Sequence, residues 1–371
     1  MRTIQPIKED MSSRNLKDDL KKLRQEVDLI DQEILELLNQ RSKIVVTIGD
    51  LKKKNHEEVY APLREKALLE HLTKSNEGPF PAHALRAVFG EILSASRSLQ
   101  SPIRAAYLGP EATFTHLATL KYFGKSTELV PEGTIAKVFE AVEHRRTDFG
   151  VVPIENSTEG VVGATLDCFQ DSSLKINGEA TLPISHHLLG RGSLKLIHKI
   201  YSHPQALAQC RNWLEQNLPN IPVAEVESTA RAAERAAEES HVAGIASEHA
   251  AEIYGLKILK RNIEDNARNM TRFLILGGQS PSRSGHDKTS ILFSVKDQVG
   301  VLYRMLEPFY KKKINLTKIE SRPLKKKAWQ YIFFVDIDGH YEDKKVKEAV
   351  QALEKRCTFL KVLGSYPKAT V

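Results

Sequence analysis

The chain has 371 residues, of which 41% are hydrophobic and 27% charged, and its formal net charge is +7. This length is too great for one ordinary hydrophobic core and predicts two or three domains. Three cysteines without paired spacing favour neither a disulfide framework nor a zinc site, so we expect a reducing, cytoplasmic location. No apolar run reaches the roughly 20 residues of a membrane helix. The lysines are dispersed, which favours small anionic ligands over nucleic acid.

A regular apolar stripe runs through the first segment. From Leu16 to Leu51, apolar residues recur at alternating steps of four and three, which predicts one helix that continues to about Lys54. A helix of this length would project from a small domain unless a second chain packs along it. Pro62 is well placed to open a second helix, and a third helix ends near Gln100. The first segment is therefore predicted to be all helical and dimeric.

Arg41 occupies a position of this stripe at which the neighbouring members are apolar. A guanidinium group is costly to bury without an anionic partner, which is either a protein carboxylate such as Glu65 or a ligand. On an ideal helix, Lys52 lies about 16 Å from Arg41 along the axis and on nearly the same face. Arg24 lies about 25 Å away on another face. Lys52 can therefore converge with Arg41 on one small anion, whereas Arg24 can do so only from a second subunit.

The first segment resembles the helical chorismate mutase family in Leu23-Arg24, Arg41, Lys52, the turn Pro62-Leu63-Arg64-Glu65, Ser96 and Gln100. The resemblance implies an entwined dimer of three-helix subunits. It also implies that Arg41 and the partner subunit's Arg24 hold the two carboxylates of chorismate. Lys52 and Gln100 would act on the ether oxygen, and Glu65 and Ser96 would hold the ring hydroxyl, with Arg64 in support. Ala61 replaces an acid that some members carry. A Claisen rearrangement needs such positioning and hydrogen-bond donors rather than a base.

The second segment changes its pattern. Short apolar runs alternate with amphipathic helices, which predicts an α/β domain. The runs are Ile103–Leu108, Phe149–Val152, Val242–Ala246 and Phe273–Leu276, and the helices include Ile135–His144 and Gln205–Leu218. Hydroxyl and amide residues often follow a run, where they either cap a helix or help to form an anion site at a sheet edge. An interruption at Gly190-Arg191-Gly192-Ser193 indicates two lobes with a cleft.

Five motifs in this segment resemble prephenate dehydratase: Gly109-Pro110-Glu111-Ala112-Thr113-Phe114, Val152-Pro153-Ile154-Glu155-Asn156-Ser157, Tyr201-Ser202-His203-Pro204-Gln205, Glu227-Ser228-Thr229-Ala230 and Asn269-Met270-Thr271-Arg272-Phe273. The resemblance implies two α/β lobes like those of periplasmic binding proteins, with the active site between them. It further implies that prephenate loses carbon dioxide and water to give phenylpyruvate, without a metal or cofactor.

The resemblance assigns roles to particular residues of the second segment. Thr271 is the key catalytic residue, and by its chemistry it orients and donates a hydrogen bond to the departing hydroxyl rather than serving as a full general acid. The implied prephenate contacts are Asn156, Ser202, Gln209, Glu155, Glu227 and Arg272. His116 and His203 remain open between a general acid and a histidine satisfied within the fold.

The third segment alternates strands and helices in the order of a split βαβ sandwich of ferredoxin-like type. The predicted strands are Ser290–Val295, Asn315–Ser321, Trp329–Asp336 and one at the end, and the predicted helices are Val301–Lys312 and Asp343–Lys355. A turn at Asp297-Gln298-Val299-Gly300 precedes the first helix. A linker rich in Gly and Ser, Gly277–Asp287, separates this segment from the second.

The motifs Gly300-Val301-Leu302 and Glu320-Ser321-Arg322-Pro323 resemble the phenylalanine-binding motifs of ACT regulatory domains, with Val299 and Val301 where proline and alanine are usual. The resemblance implies phenylalanine as the effector. The implied effector-binding residues are Gly300, Val301, Leu302, Asn315, Glu320, Ser321 and Arg322.

The order of the three segments is that of the bifunctional chorismate mutase/prephenate dehydratase family, the P-proteins of phenylalanine biosynthesis. We therefore expect a mutase domain at 14–101, a dehydratase domain at 102–278, a linker at 279–288 and an ACT domain at 289–371. The expected partners are chorismate, prephenate, phenylalanine and a second copy in a homodimer or higher homo-oligomer, with neither nucleic acid nor membrane. Two alternatives stay open: a non-catalytic amino-acid sensor with a helical dimerisation arm, and a protein in which one catalytic domain is vestigial.

Overall fold

The computed structural model describes residues 16–55, 60–296, 298–323 and 331–369. Two expected features, Asp297 in the predicted turn and Trp329 in a predicted strand, lie outside the described residues. The chain divides into two compact units. One comprises the described residues up to Ala61 together with Ala95–Pro102, and the other comprises Pro62–Ser94 and the described residues from Ile103 onward.

The first segment forms three helices, α1 (Leu16–Lys54), α2 (Pro62–Ser75) and α3 (Ala82–Gln100). The 39-residue α1 begins with acidic and ends with basic side chains, which suits the helix dipole. The prediction of one long helix is confirmed. The apolar stripe is exposed along the whole length of α1, and the buried residues of this helix are Val45 and Gly49. Exposed apolar stripes of this length are rare on monomers.

The second segment contains eleven strands: β1 (Arg104–Leu108), β2 (Glu128–Glu132), β3 (Phe149–Asn156), β4 (Gly160–Val161), β5 (Lys175–Pro183), β6 (His187–Gly190), β7 (Lys199–Ser202), β8 (Val223–Glu225), β9 (Val242–Ala246), β10 (Lys257–Lys260) and β11 (Met270–Gly277). They form two sheets. The first sheet has the order β2-β1-β3-β11-β5, with β4 paired to β3, and the second has the order β10-β6-β9-β7-β8. Both sheets mix parallel and antiparallel pairs.

Helices connect these strands: α4 (Phe114–Phe123), α5 (Ile135–Glu143), α6 (Gly163–Asp171), α7 (Pro204–Gln209), α8 (Arg211–Asn217), α9 (Thr229–Glu238) and α10 (Glu248–Tyr254), with a short 3₁₀ helix at Leu194–Leu196. Small residues set the spacing of α9 against the second sheet. A Cβ on Gly244 of β9 would lie 2.4 Å from the Ala232 carbonyl oxygen of α9, so only glycine permits this approach.

One helix prediction is wrong. The stretch Gln205–Leu218 is not one helix but two, α7 and α8, which meet at the fully buried Cys210. The Asp265 carboxylate accepts the backbone N–H groups of Asn212 and Trp213 at 3.1 and 3.2 Å and so caps the start of α8. This cap comes from a loop more than 50 residues away, so the local periodicity does not reveal it.

The third segment contains β12 (Asp287–Val295), α11 (Val301–Lys311), β13 (Leu316–Pro323), β14 (Tyr331–Asp338), α12 (Lys344–Glu354) and β15 (Phe359–Pro367). The strands form one antiparallel sheet in the order β13-β14-β12-β15. The strand β12 begins at Asp287, inside the predicted linker. Its start is fixed locally because the Asp287 carboxylate accepts the Ser284 and Gly285 backbone N–H groups at 2.9 and 3.1 Å.

The sheet of the third segment is covered on both faces. On one face, Ile291 and Phe293 pack with α11 and α12 residues such as Phe309. On the other face, Phe334 and Tyr366 belong to the same apolar cluster as residues of the second segment's first sheet. The second and third segments are therefore joined by a continuous core. None of the helices in the described ranges is long and apolar enough to cross a membrane.

Candidate active and regulatory sites

Arg41 is joined to the C-terminal part of α3. Its Nη1 donates to the hydroxyl of Ser96, which is buried. The Gln100 side chain lies one turn further, where Nε2 donates to the Ser96 carbonyl oxygen at 3.3 Å. The Gln100 Oε1 atom is buried without a hydrogen-bond partner in the described part of the chain. The structure therefore brings Arg41, Ser96 and Gln100 together.

Gly49 explains how Gln100 approaches α1. A Cβ at Gly49 would lie 2.8 Å from the Gln100 Cγ atom, so the absence of a side chain admits the glutamine. Glycine inside a helix costs about 1 kcal/mol relative to alanine, which indicates that this close approach matters. The sequence analysis missed Gly49, although a glycine within a long apolar helix is a visible signal.

The remaining predicted chorismate contacts lie on α1 and α2. Arg24 is exposed in the first half of α1, and Lys52 is half-buried in its last turn. Arg64, which is exposed, and Glu65, which is half-buried, lie in the first turn of α2. Arg24 lies about 25 Å from Arg41 along α1, so these two residues of one chain cannot hold the same small ligand.

A cleft of about 420 Å³ lies between the two sheets of the second segment. It is lined by Leu108, Gly109, Thr113, Phe114, Thr115, Gly133, Ile135, Pro153, Asn156, Val162, Ile184, His186, His203, Gln205, Ala206, Gln209, Glu227, Ser228, Thr229, Thr271 and Phe273. This volume suits a small ligand. Four of the predicted prephenate-site residues, Asn156, Gln209, Glu227 and Thr271, line the cleft.

Thr271 and Asn156 face each other across paired strands. They are register partners on β11 and β3, and the Asn156 Nδ2 donates to the Thr271 Oγ1 at 2.8 Å. The Asn156 Oδ1 accepts the backbone N–H groups of Thr158 and Glu159 at 2.9 and 3.0 Å, which fixes the orientation of the amide. Because the Thr271 oxygen accepts from Asn156, its own proton is available for a ligand in the cleft.

A chain of polar side chains supports the start of β11. Gln209 Oε1 accepts from Asn269 Nδ2 at 3.1 Å and lies 2.9 Å from the His186 Nε2. Ser157 Oγ donates to Asn269 Oδ1 and accepts the Met270 backbone N–H, directly before Thr271. His186 was not among the predicted site residues. Burial lowers the pKa of His186, against a hydrogen bond to Gln209 that raises it.

Three predicted prephenate contacts do not line the cleft. Ser202 is fully buried and donates to the Ile245 carbonyl oxygen at 2.8 Å. Glu155 and Arg272 are cross-strand partners that pair with each other at 3.1 Å, next to a second cavity of about 390 Å³. Successive side chains of a strand point to opposite faces, so Arg272 and Glu155 face away from their neighbours Thr271 and Asn156.

The two histidines left open by the sequence each accept a backbone N–H group. His203 caps α7, since its Nδ1 accepts the Gln205 backbone N–H at 3.3 Å. His116 accepts the backbone N–H of Ala112, which has a positive φ of 68°, and stacks on Tyr107. Both interactions use the Nδ1 atom to hold a neighbouring loop, and His203 also lines the cleft.

Carboxylates in the cleft would meet helix ends rather than cationic side chains. No lysine or arginine is found among the described residues that line it. The ten-residue helices α4 and α9 begin there, with Thr113 and Ser228 as N-caps. The backbone N–H groups at such ends attract anions. The apolar lining, which includes Phe114 and Phe273, leaves part of a bound carboxylate poorly solvated.

Arg272 lies in a buried ionic cluster. Its Nε is 2.7 Å from Glu179 Oε2, and its Nη2 is 2.7 Å from Asp336 Oδ2 and donates to the Tyr366 hydroxyl at 3.0 Å. Burial opposes the charge on Arg272, but Tyr366, Asp336 and Glu179 outweigh it and hold the pKa above its ordinary value. Arg272 and Lys288 likewise outweigh the burial of Glu179 and lower the pKa of that carboxyl.

The predicted effector residues divide between two places. Gly300, with a φ of 71°, caps α11, and Val301 and Leu302 form the first turn of that helix. On β13, Ser321 is exposed, whereas Arg322 turns towards the second segment and binds Asp167 at 3.0 Å and the Gly163 carbonyl oxygen. Glu320 lines the 390 Å³ cavity beside Arg272. Asn315 precedes β13 and donates to Asp338 at 3.5 Å.

The buried histidines predict acid sensitivity. Burial is the main cause that lowers the pKa of His116, His186 and His187 below 6.5, so the folded chain resists protonation that the unfolded chain accepts. The stability that these histidines contribute is therefore fully present above about pH 6.5, and it is lost as the pH falls towards their lowered pKa values. We expect the urea midpoint to fall from pH 7.5 to pH 5.5. Carboxyl groups with a lowered pKa, such as Glu179, make the stability depend on pH only below the range from pH 7.5 to pH 5.5. In His116→Asn, which retains an acceptor for Ala112, the fall should be smaller; an equal fall would contradict this account.

Three family models match successive parts of the chain. Chorismate mutase type II matches residues 23–101, prephenate dehydratase matches residues 105–281, and the ACT domain matches residues 289–355. A bifunctional chorismate mutase/prephenate dehydratase of Aquifex aeolicus is 52% identical over 357 residues, which are 95% of this chain and 99% of that relative.

Two solved structures resemble the second and third segments. The prephenate dehydratase of Arthrobacter aurescens in complex with L-Phe is 35% identical, with a TM-score of 0.67 over 71% of this chain and 90% of that one. A protein described as GqqA, a novel type of quorum quenching acylase, is 30% identical, with a TM-score of 0.65 over 72% of this chain and 98% of that one.

Proposed function

Because the chain belongs to the family of bifunctional chorismate mutase/prephenate dehydratases, we propose that it uses two separate sites in succession. The α1–α3 site rearranges chorismate to prephenate, and the cleft of the second segment converts prephenate to phenylpyruvate for phenylalanine biosynthesis. The observation that carries the second site is the Asn156–Thr271 hydrogen bond at the cleft wall. The observation that carries the first is the grouping of Arg41, Ser96 and Gln100.

In the mutase site, Arg41 and the partner subunit's Arg24 bind the two carboxylates. Lys52 and Gln100 donate to the ether oxygen as its C–O bond breaks, while Glu65 and Ser96 hold the ring hydroxyl and Arg64 adds positive charge. The exposed stripe on α1 supports an entwined dimer, because it needs a covering surface that the described residues of one chain do not supply. Held donors lower the barrier by stabilising the charge that develops in the transition state.

In the dehydratase cleft, the bond between the ring and its carboxylate breaks and carbon dioxide leaves. The released electron pair makes the ring aromatic, and the ring hydroxyl departs with a proton as water. Thr271, oriented by Asn156, donates a hydrogen bond to the departing oxygen. Gln209 and Glu227 contact the substrate from the second sheet, and the N-termini of α4 and α9 hold the remaining carboxylate. Aromatisation drives the step, so the residues supply positioning rather than redox or metal chemistry.

We place regulation in the third segment and regard its fold as ferredoxin-like. Phenylalanine binds at Gly300–Leu302 together with Asn315 and the segment Glu320–Arg322. Exposed apolar side chains nearby, which include Val299, Tyr303 and Tyr310, support pairing with a second copy.

The two sheets of the second segment correspond to the lobes of a periplasmic-binding-protein-like fold. The chain then works as a homodimer or higher homo-oligomer in the cytoplasm, with domain boundaries at 14–101, 102–278 and 289–371.

Gly300→Ala tests the effector site. The left-handed φ of 71° at this residue costs alanine about 1 kcal/mol, so the helix end that contacts phenylalanine shifts. We expect the phenylalanine concentration for half inhibition to rise about fivefold, which is the equivalent of that energy. Gly285→Ala is the matched control, because Gly285 has a φ of 86° outside the effector segment. An unchanged half-inhibitory concentration in Gly300→Ala would contradict the placement.

One assay tests the whole proposal. Chorismate is supplied to the purified chain, and prephenate and phenylpyruvate are followed over time with and without phenylalanine. We expect prephenate to appear first and phenylpyruvate next, with phenylalanine slowing the second step. A chain that binds phenylalanine but turns over neither substrate would be an amino-acid sensor. A protein described as an acylase shares the fold of the second and third segments. Failure to consume prephenate would therefore mean that the cleft catalyses a different reaction.

A further inference from the structure

The cross-strand pair that holds the dehydratase residues has two faces. On the cleft face, Asn156 donates to Thr271 at 2.8 Å. On the opposite face, their chain neighbours Glu155 and Arg272 form the next register pair and an ion pair at 3.1 Å. The pairing of β11 with β3 shifts register between Arg272 and Phe273, whereas the pairing of β11 with β5 stays regular from Met270 to Ile275. On the β3 side, where the ladder is interrupted, the Arg272–Glu155 pair links the two strands, so what holds Arg272 bears on the position of Thr271.

The third segment provides much of that hold. Asp336 of β14 is fully buried, and its carboxylate lies 2.7 Å from the Arg272 Nη2. Tyr366 of β15 is fully buried and accepts from the same nitrogen at 3.0 Å. Ser290 of β12 donates to Asp336 at 2.5 Å and lies 2.7 Å from the Tyr366 hydroxyl, which fixes both groups. Two strands of the third segment thus contact one side chain of β11, and a third strand holds those two contacts in place.

The charges in this region balance. Arg272, Lys288 and Lys318 meet Glu155, Glu179 and Asp336; Lys288 lies 3.0 Å from Glu179, and Lys318 contacts Glu155. We call these six residues the junction cluster. A neutral buried cluster has no excess charge to hold a ligand, which favours a mechanical role over a binding site. Removal of one member leaves an uncompensated buried charge and forces its neighbours to move.

We propose that Asp336 is a positioning residue for the dehydratase reaction, acting from the third segment through Arg272 on Thr271. Asp336 and Tyr366 fix the guanidinium, the guanidinium fixes β11 against Glu155 of β3, and this sets the distance and direction of the Thr271 hydroxyl in the cleft. The inference rests on the proposed role of Thr271. It gives the third segment a direct mechanical connection to the chemistry, separate from the effector contacts.

Asp336→Asn in the full-length chain tests this inference. The substitution keeps the size of the side chain and one acceptor oxygen, but it replaces the other oxygen with a donor NH2 group and removes the charge. We expect kcat for prephenate to fall about 10- to 100-fold, with KM changed less than about threefold and mutase activity unchanged, since a misplaced donor weakens transition-state contacts more than ground-state binding. Asp338→Asn, on the same strand and paired to Lys368 at 2.6 Å, is the matched control and should retain full activity.

A double-mutant cycle separates positioning from general damage. If Asp336 acts through Thr271, then Asp336→Asn should lower kcat less than about threefold further once Thr271→Val is present. A fall that multiplies fully with that of Thr271→Val, or a kcat for Asp336→Asn within twofold of the parent, would overturn the inference. If Asp336→Asn does not fold, Tyr366→Phe, which removes only a hydroxyl, is measured in the same way. Its expected fall in kcat is about three- to tenfold, and an unchanged kcat in that variant would overturn the inference.

Discussion

Thr271→Val is expected to lower kcat for prephenate dehydration about 100- to 1,000-fold, the usual effect of removing one donor to a transition-state oxygen. Valine has nearly the shape of threonine and suits a strand, so β11 and its pairing should persist. The hydroxyl that faces the cleft and accepts from Asn156 at 2.8 Å is lost. Steady-state rates with added prephenate measure the effect, and mutase activity on chorismate should be unaffected.

Three further variants test this result. Thr271→Ser keeps the hydroxyl and should retain most of the activity, whereas Asn156→Leu should lower kcat because the threonine loses the group that orients it. Asn156→Asp supplies a carboxylate that accepts rather than donates, and it should also be impaired. If Thr271→Val kept at least one-tenth of the parent's kcat, the departing hydroxyl would have to be assisted by another group that lines the cleft, such as the His186–Gln209 pair.

Arg41→Ala is expected to lower chorismate mutase kcat/KM about 1,000-fold or more, because a charge-assisted, forked contact to a carboxylate is lost together with the hydrogen bond to Ser96. Added prephenate should still be converted at the parent rate, since the cleft shares no residue with this site. Both rates are measured on the same preparation. Arg41→Lys should recover only a small part of the loss, because an ammonium group cannot reproduce the fork.

Lys43→Ala is the matched control for Arg41. Lys43 lies two residues away on α1 and is exposed, so its removal changes the charge by the same amount without entering the site. Its mutase activity should be within about twofold of the parent, as expected for an exposed charge. If Arg41→Ala kept full mutase activity, Arg41 would be a packing residue and the chorismate site would lie elsewhere.

The helices and strands were predictable where one period dominates over many residues. The apolar steps of four and three residues predicted a helix to about Lys54, which is where α1 ends. The apolar run Val242–Ala246 forms β9 with the same bounds. The charge of Arg41 in an apolar stripe indicated an anionic partner, whereas its grouping with Ser96 and Gln100 was implied only by the resemblance to the chorismate mutase family. Strand alternation could have separated Thr271 from Arg272, because neighbours on a strand cannot both face one cleft.

Other features depend on contacts that no local pattern contains. The break between α7 and α8 is capped by Asp265, and the partners of Arg272 include Asp336 and Tyr366, more than 60 residues further along the chain. His186 follows β5 without a motif and reaches the cleft through its bond to Gln209. The contacts of these residues arise from the packing of sheets against each other. Sequence periodicity predicts the fold class but not these contacts.

Complementation between the two single variants tests the two-site account most directly. Arg41→Ala and Thr271→Val are each given chorismate alone and then as an equal mixture, and phenylpyruvate is measured. Neither variant alone should form it at more than a small fraction of the parent rate, with prephenate accumulating only in Thr271→Val. The mixture should form phenylpyruvate, because prephenate made by one variant reaches the intact cleft of the other. A mixture as inactive as its components, with both variants folded, would contradict the two-site account.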